Sequence, residues 1–218
     1  GEHVIESVDV NGKTIAVGTP ADVQRNPWGR VTLLFDGDAS ATLRYEGPAA
    51  YGSGTRTLTR LSRQRRPLVE FSAPPPGPIH VDLAGSFYDP ARSGEGVFLH
   101  AVTDAEGIPR PTVLFWCSFD EAGRPIWLVG SDISNELSPP LPFGVLAYDL
   151  WQPVGARFGA AFDPAAVQRR AWGSLTMSFA PGACNAARLQ WRRRADNANG
   201  TLDYARLTRP NASRCPSP

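Results

Sequence analysis

The strongest constraint on the fold of this chain is a segment that occurs twice. Residues 28–35, with the sequence WGRVTLLF, match residues 172–179, with the sequence WGSLTMSF, 144 positions later. The match covers about 45 residues with one two-residue insertion, and it ends at Arg60-Leu61 and Arg206-Leu207. Self-similarity at a fixed offset indicates a duplicated structural unit. We therefore predict that the two copies fold alike.

A different segment lies between the two copies and occurs once. We name the three parts segment B1 (4–62), segment A (80–133) and segment B2 (145–208), so that the order along the chain is B–A–B. Two origins stay open for this order. Either a segment of type A has been removed from in front of B1, or B1 completes the fold in a permuted way.

A proline-rich region separates B1 from A. It contains Pro67 and four further prolines between positions 74 and 78, and such sequences are extended and semi-rigid. We predict a half-repeat β unit at 1–62, a linker at 63–79 and a complete β domain at 80–218.

The predicted fold class is all-β, as an antiparallel β-barrel or sandwich built from the B–A–B arrangement. Short runs of Val, Leu, Phe, Trp and Thr alternate with turn residues, and no long stretch has the spacing of an amphipathic helix. One helical turn is predicted at 163–169, with Asp163 as its cap and Pro164 at its first position. Strands are predicted near 81–88, 95–103, 112–119 and 124–131 in segment A, and near 144–151, 157–162, 172–179, 187–193 and 200–208 in segment B2.

The three cysteines predict one disulfide. Cys215 lies in the C-terminal tail, where it has little core to join, and Cys184 lies in a predicted loop. A Cys184–Cys215 bond would close a loop of about 30 residues and contribute roughly 3–4 kcal/mol in the chain-entropy model. Cys117 lies inside an apolar run and is predicted to be a buried free thiol. A disulfide indicates the periplasm or the outside of the cell.

Segment A contains GSFYDPARSGEG at 85–96, FWCSFD at 115–120 and GRPIW at 123–127. These motifs resemble a repeat domain of secreted and surface-exposed proteobacterial proteins, whose pattern is roughly G-x-W-Y-D-P-x-x-S-G-x-G followed by W-[FY]-T-Y-D-x-x-G-x-P-x-W. The B segments are similar to the second half of that domain. The resemblance covers 80–208 in full and 4–62 in half, with departures at Phe87 and at Cys117-Ser118. It implies export, and because the family is largely of unknown function, it transfers no catalytic residues.

The loop at 88–96 has the densest set of polar side chains, Tyr88, Asp89, Arg92 and Glu95. Asp89 and Glu95 could form an acid/base pair of the glycosidase type. In the favoured interpretation Asp89 instead caps a turn, Gly94 and Gly96 supply unusual backbone angles and Arg92 pairs with a carboxylate. We therefore assign no catalytic residue and keep the four polar residues as candidate ligand-binding residues.

His100 and Trp127 complete this candidate set. His100 alternates with Phe98 and Val102, so the three are predicted to share one strand face, where a hydrogen-bonded core histidine is the favoured interpretation. The spacing of His100, Glu95 and Asp120 is not diagnostic of a metal site. No metal and no cofactor are predicted.

The six tryptophans have two interpretations, as core side chains or as platforms for flat ligands. Trp116 lies in a strand that is apolar on both faces and is predicted to be buried. Trp28 and Trp172 occupy equivalent repeat positions, which favours a structural role. The best platform candidates are Trp127, Trp151, Trp191 and Tyr88.

Charge and hydropathy exclude some partners. The 22 basic and 21 acidic residues give a net charge of +1, whereas a general nucleic-acid binder is strongly basic. No apolar run approaches the ~20 residues of a transmembrane helix. We therefore predict neither a nucleic-acid partner nor a membrane span.

An isolated B segment would expose a strand edge, which natural proteins normally avoid. B1 is therefore predicted to pack on the second domain, to pair with another chain or to extend a shared sheet. The predicted function is a non-catalytic secreted or surface-exposed module for adhesion, assembly or recognition, with a protein partner or self-association through the exposed β edge. The alternatives are a small-ligand or carbohydrate-binding barrel with an aromatic-lined mouth, and a hydrolase that uses Asp89 and Glu95.

Overall fold

A computed structural model describes residues 2–11, 21, 23–64, 83–92, 94–103, 111–142, 144–159, 162–181 and 183–209. The long elements of this part of the chain are all β-strands, which confirms the predicted fold class. The predicted helical turn is a short 3₁₀ turn at Pro164–Ala166, where the Asp163 side chain accepts a hydrogen bond from the Ala165 backbone N–H.

Segment B1 forms a four-stranded antiparallel sheet. Its strands are β1 (Glu2–Asn11), β2 (Gln24–Phe35), β3 (Ser40–Glu46) and β4 (Ser53–Thr59), and β5 (Arg63–Gln64) follows. Each of β1 to β4 pairs with the next along the chain. The sheet is therefore a meander with β1 and β4 at its edges.

Segments A and B2 together close an eight-stranded barrel, so the barrel and not the sandwich is the architecture. Segment A contributes β6 (Gly85–Tyr88), β7 (Gly96–His100), β9 (Val113–Phe119) and β10 (Pro125–Ser131), while β8 (Val102–Thr103) lies outside the barrel and pairs with β5. Segment B2 contributes β11 (Val145–Val154), β12 (Gln168–Ser178), β13 (Ala186–Arg193) and β14 (Asn199–Thr208). The two halves meet at two seams, where β10 pairs with β11 and β14 pairs with β6.

Two predicted strands differ from the structure. The predicted strand 95–103 is interrupted at Ala101, so that Val102 is buried in β8 and does not share a face with the exposed His100. The predicted strand 157–162 is a loop where it is described, because Gly155 and Gly159 have φ values of +99° and +105° and turn the chain away from the sheet. Residues with a Cβ atom rarely adopt such angles.

The predicted linker and disulfide lie largely outside the described residues. Of the linker only Arg63 and Gln64 are described, in β5. Cys117 is a half-buried free thiol. Cys184 is buried, but Cys215 lies outside the described residues, so the Cys184–Cys215 disulfide stays a prediction.

The interior of the barrel is filled with side chains. On the B2 side the inward positions alternate along the strands, as a sheet with one buried face requires. Segment A covers them with its own inward residues, and Trp116 is wholly buried. Members of this core include Phe87, Val97, Leu99, Leu114, Trp116, Leu128, Leu175, Met177, Leu189, Leu202 and Tyr204.

B1 and B2 share two local features at equivalent positions. Tyr45 of β3 lies across from Gly54, and Trp191 of β13 lies across from Gly200. A Cβ atom at Gly54 would be 2.6 Å from the Tyr45 hydroxyl oxygen, and one at Gly200 would be 2.9 Å from the Trp191 ring. In both sheets the aromatic ring therefore covers a glycine of the next strand.

The second shared feature is a break in strand register. The pairing of β1 with β2 shifts beside Gly29, and the pairing of β11 with β12 shifts beside Gly173. Such irregularities bend a strand and increase its twist. The tryptophan before each glycine, Trp28 or Trp172, therefore enters its sheet at the same bend.

In the barrel, segment A places Trp116 between these aromatic residues of B2. Its ring centroid lies 5.5 Å from that of Trp172 and 6.3 Å from that of Trp191. B1 has no segment A strand across from Trp28 and Tyr45. The loop after β11 inserts Phe158 there instead, with ring centroids 5.7 Å from Trp28 and 4.8 Å from Tyr45. Phe158 thus occupies on B1 the place that Trp116 occupies on B2.

Replacing Phe158 with alanine should loosen B1 from the barrel. A buried Phe→Ala change costs about 3–5 kcal/mol, and Phe158 is 50% exposed, so we expect about half of that cost. Amide hydrogen exchange followed by mass spectrometry should show faster exchange in β2 and β3, with the barrel strands unchanged. Phe162→Ala, in the same loop and equally exposed, is the control. Equal exchange in the two variants would contradict the role of Phe158.

Candidate functional site

Each outer strand of the B1 sheet, β1 or β4, is hydrogen-bonded on one side only. On its outward side it has no neighbouring strand in the part of the chain that the structure describes. Neither β1 nor β4 contains proline or lysine, the residues that commonly protect sheet edges. β4 is rich in threonine, with Thr55, Thr57 and Thr59 on one side, and β-branched residues favour strand pairing. Both edges are therefore suited to receive another strand.

The face of the B1 sheet that corresponds to the barrel interior is only partly covered. Val31 and Leu33 are half-buried, whereas their counterparts Leu175 and Met177 are fully buried. Leu58 is 39% exposed, whereas its counterpart Tyr204 is 2% exposed. We call this sheet, β1 to β4 with its open edges and its apolar inner face, the open half-barrel.

The apolar inner face is most exposed away from the Phe158 loop. Phe35 and Leu58 both pair with Ala41, so they lie on one face at the end opposite to Tyr45. Both are large apolar residues with substantial exposure. Ile5 of the edge strand is also exposed and lies on the same face, but in the row of Val31 and Tyr45. Contiguous exposed apolar surface is common at interaction sites.

In the barrel, the seam between β14 and β6 is held by a buried glutamate from the candidate loop. The carboxylate of Glu95, 7% exposed, accepts a hydrogen bond of 2.7 Å from the Ser118 hydroxyl and one of 3.0 Å from the Tyr204 hydroxyl. The Arg92 guanidinium lies 3.5 Å from the same carboxylate. Because Ser118 belongs to segment A and Tyr204 to B2, this network joins the two halves of the barrel.

Burial dominates the titration of this glutamate. Loss of water raises the pKa of Glu95, while its hydrogen bonds with Ser118 and Tyr204 and the charge of Arg92 oppose that effect. Burial also raises the pKa of Tyr204 well above its ordinary value. The arrangement holds a carboxylate in an apolar interior by satisfying both of its oxygens. We call Glu95 with its partners Ser118, Tyr204 and Arg92 the Glu95 clamp, because it connects the two halves of the barrel.

The other residues of this loop have structural partners as well. One carboxylate oxygen of Asp89 accepts a hydrogen bond of 2.8 Å from the Ala91 backbone N–H, which caps the turn before β7. Gly94 has φ of +107°, and a Cβ there would be 2.8 Å from the Val23 side chain of segment B1. The predicted turn cap and the predicted angle at Gly94 are confirmed, whereas the prediction for Gly96 is wrong, because Gly96 begins strand β7 without a positive φ. Tyr88 lies half-buried at the end of β6.

His100 and Trp127 lie on the outer surface of the barrel, apart from Glu95. The His100 ring contacts Phe115 edge-on at 5.7 Å, and Phe115 lies 6.3 Å from Trp127 between centroids. Partial burial lowers the pKa of His100. The prediction of a core histidine is therefore wrong, because His100 shares the outer face of β7 with the exposed Phe98. Trp127 is 47% exposed, as a ligand platform requires.

The other predicted platforms divide between surface and core. Trp151 is exposed, and the Arg169 guanidinium lies 5.9 Å above its ring. Trp191 is buried in the aromatic cluster with Trp116 and Trp172. Of the two interpretations of Trp191, as a core side chain or as a platform, the structure therefore confirms the core side chain.

A cavity of about 560 Å³ opens at the mouth of the barrel, above this aromatic cluster. Trp172 and Trp191 line it together with the hairpin after β9. Gln152, Arg170 and Arg193 add polar groups. The sequence predicts an aromatic-lined mouth as one alternative and Trp191 as a candidate platform, but it does not predict the polar lining, because those residues come from strands and turns that are far apart in the chain.

The described residues contain no group of histidine, cysteine, aspartate and glutamate that could hold a metal ion. Within the same residues, no helix has the length and apolarity that a membrane crossing requires.

No family model, no curated protein and no solved structure matches this chain.

The Glu95 clamp predicts a specific dependence of stability on pH. Because the pKa of Glu95 is raised by folding, its contribution to stability is greatest below its unfolded pKa and is lost as the pH rises through the folded value. The Glu95→Gln variant has no such titration. It should gain stability relative to the wild type as the pH rises above the ordinary range of a glutamate, as measured by urea unfolding.

Asp196 provides a contrast with the opposite sign. Hydrogen bonds from Arg193 lower the pKa of Asp196 to about 2. The wild type should therefore be more stable than Asp196→Asn at neutral pH. This difference in the free energy of unfolding should disappear as the pH falls below the ordinary pKa of an aspartate. If the free energy of unfolding differs between Glu95→Gln and the wild type by the same amount at every pH, the role assigned to Glu95 is wrong.

Proposed function

We propose that this protein is a non-catalytic interaction module that binds a partner polypeptide by strand addition to the open half-barrel. One observation supports this most: B1 leaves both sheet edges unpaired in the described chain, whereas segment A pairs both edges of the similar B2 sheet. Strand addition satisfies the backbone groups of an edge, and side-chain pockets give specificity. Adhesion, assembly and recognition all use such contacts.

We also propose that B1 and B2 are copies of one unit, and that the protein is secreted, periplasmic or exposed at the cell surface. The sequence match, the shared aromatic–glycine pairs and the shared register breaks support duplication. The resemblance to a family of exported repeat domains and the predicted Cys184–Cys215 disulfide support the location.

A hydrolase is less well supported by the geometry. Asp89 caps a turn, and Glu95 accepts hydrogen bonds from two hydroxyl groups inside the barrel. A general acid/base pair must reach a substrate between its carboxylates. Neither group lines the mouth cavity.

Strand addition can be tested with a synthetic strand donor. The donor is a fluorescein-labelled peptide that copies residues 83–103, whose strand β6 pairs with β14, the counterpart of β4. Its Glu95 is replaced by leucine, because B1 has Leu58 where B2 offers the Tyr204 hydroxyl. Fluorescence anisotropy on dilute monomeric protein should show saturable binding, about tenfold tighter than for the unaltered peptide.

Two variants locate the binding site of the donor. Leu58→Glu places a charge on the inner face of β4 and should weaken binding about tenfold or more. Leu207→Glu makes the same change at an exposed position of β14 and should not alter the affinity for the donor peptide. If neither peptide binds the folded protein, strand addition to B1 is wrong.

The mouth cavity supports a second candidate function, binding of a carbohydrate or another small polar ligand. Its volume lies within the usual range of ligand sites, about 300–1,000 Å³. Indole rings with nearby amide and guanidinium groups suit sugar rings, whose faces are apolar and whose rims are hydroxylated.

A thermal-shift panel of neutral and acidic oligosaccharides tests this second function. A ligand at ~100 times its dissociation constant adds about 2.7 kcal/mol of stability. Gln152→Ala and Arg170→Ala should reduce the shift, whereas Trp127→Ala on the outer surface should not. A shift lost only in Trp127→Ala would move the site to the outer surface, and no shift with any sugar would contradict this function.

A further inference from the structure

The barrel shows what shape of partner closes a half-barrel. It consists of two four-stranded meanders, β6-β7-β9-β10 and β11-β12-β13-β14. At both seams the last strand of one meander pairs antiparallel with the first strand of the other. The two meanders are therefore related by an approximate two-fold rotation about the barrel axis. A four-stranded meander that runs in the same sense can take the place of segment A.

We propose that a second copy of this chain closes the open half-barrel with its own open half-barrel. In the resulting eight-stranded barrel, β4 of each copy pairs with β1 of the other, so that two identical seams form around a two-fold axis. This inference rests on the proposed function and names its partner. Closed two-fold assemblies are the commonest form of oligomer.

The buried glutamate favours a second copy over another segment of type A. In the barrel, segment A brings Glu95 to the β14 seam, where the Tyr204 hydroxyl donates to it. The open half-barrel has Leu58 at the position of Tyr204. A segment of type A would therefore lose one of the two hydroxyl donors to its buried carboxylate, which is costly. A second open half-barrel instead brings the apolar residues Ile5, Phe35 and Leu58.

A second copy has no spare segment A to offer. Within each chain, segment A already pairs with both edges of B2. What remains unpaired in each copy is the open half-barrel itself. Exchange of segment A between copies would close the same barrels again and leave both B1 sheets open.

Sedimentation velocity of the full chain over a wide concentration range tests the proposal. The expected result is a reversible monomer–dimer equilibrium. Leu58→Glu should weaken dimerisation about tenfold or more, because it places two charges in the closed interior. Leu207→Glu, on the surface of β14, should dimerise like the wild type.

A second position on the inner face provides an independent test. Phe35→Glu places a charge on the same face as Leu58 and should weaken the dimer about tenfold or more. Near-ultraviolet circular dichroism of each variant shows that its tertiary packing is intact. A dimer that tolerates both Leu58→Glu and Phe35→Glu would overturn the proposal.

Failure of this inference can be separated from failure of the proposed function. A protein that stays monomeric at all concentrations overturns self-closure. If that monomer binds the leucine-containing strand donor, strand addition stands and the partner is a different polypeptide. If it binds neither donor peptide, both proposals are wrong.

Discussion

The rest of the structure depends on two seams of backbone hydrogen bonds, which pair β14 with β6 and β10 with β11 and so close the barrel. Closure removes every edge from the barrel sheet and excludes water from its interior. Only then can a carboxylate such as that of Glu95 be buried, since its partners on two different segments are brought together by the seam. Segment B1 has the same meander but no such seams, and its inner face stays partly exposed.

The aromatic cluster shows how a half-barrel is stabilised in the absence of segment A. In B2, Trp172 and Trp191 pack against Trp116 from across the barrel. In B1, Trp28 and Tyr45 require the same kind of neighbour, and a loop of the adjoining barrel supplies Phe158. Arg56 strengthens this contact, since its guanidinium donates a hydrogen bond of 2.7 Å to the Gly159 carbonyl oxygen. One end of the open half-barrel is therefore covered from within the chain.

Residue patterns along the chain predict the local features of this fold. Strand alternation gives the all-β class, and the local chemistry of Asp89, Gly94 and Asp163 gives the turns they occupy. Contacts between distant segments are not predictable in this way. The loop at 157–162 has a strand-like composition, but two glycines with positive φ and the aromatic cleft of B1 determine its shape. Glu95 has the chemistry of an acid, and only the closed barrel reveals that it is buried and fully hydrogen-bonded.

The differences between B1 and B2 are most informative at the inward positions of their last strands. B2 has Leu202 and Tyr204 there, which fit a dry interior with a glutamate at the seam. B1 has Arg56 and Leu58, of which Arg56 reaches the Phe158 loop and Leu58 remains exposed. A guanidinium could not be buried among the core residues around Leu202 without a partner. B1 is therefore not simply a B2 sheet that lacks segment A: its covered end fits its own loop, and its free end lacks the hydroxyl that binds the buried carboxylate in B2.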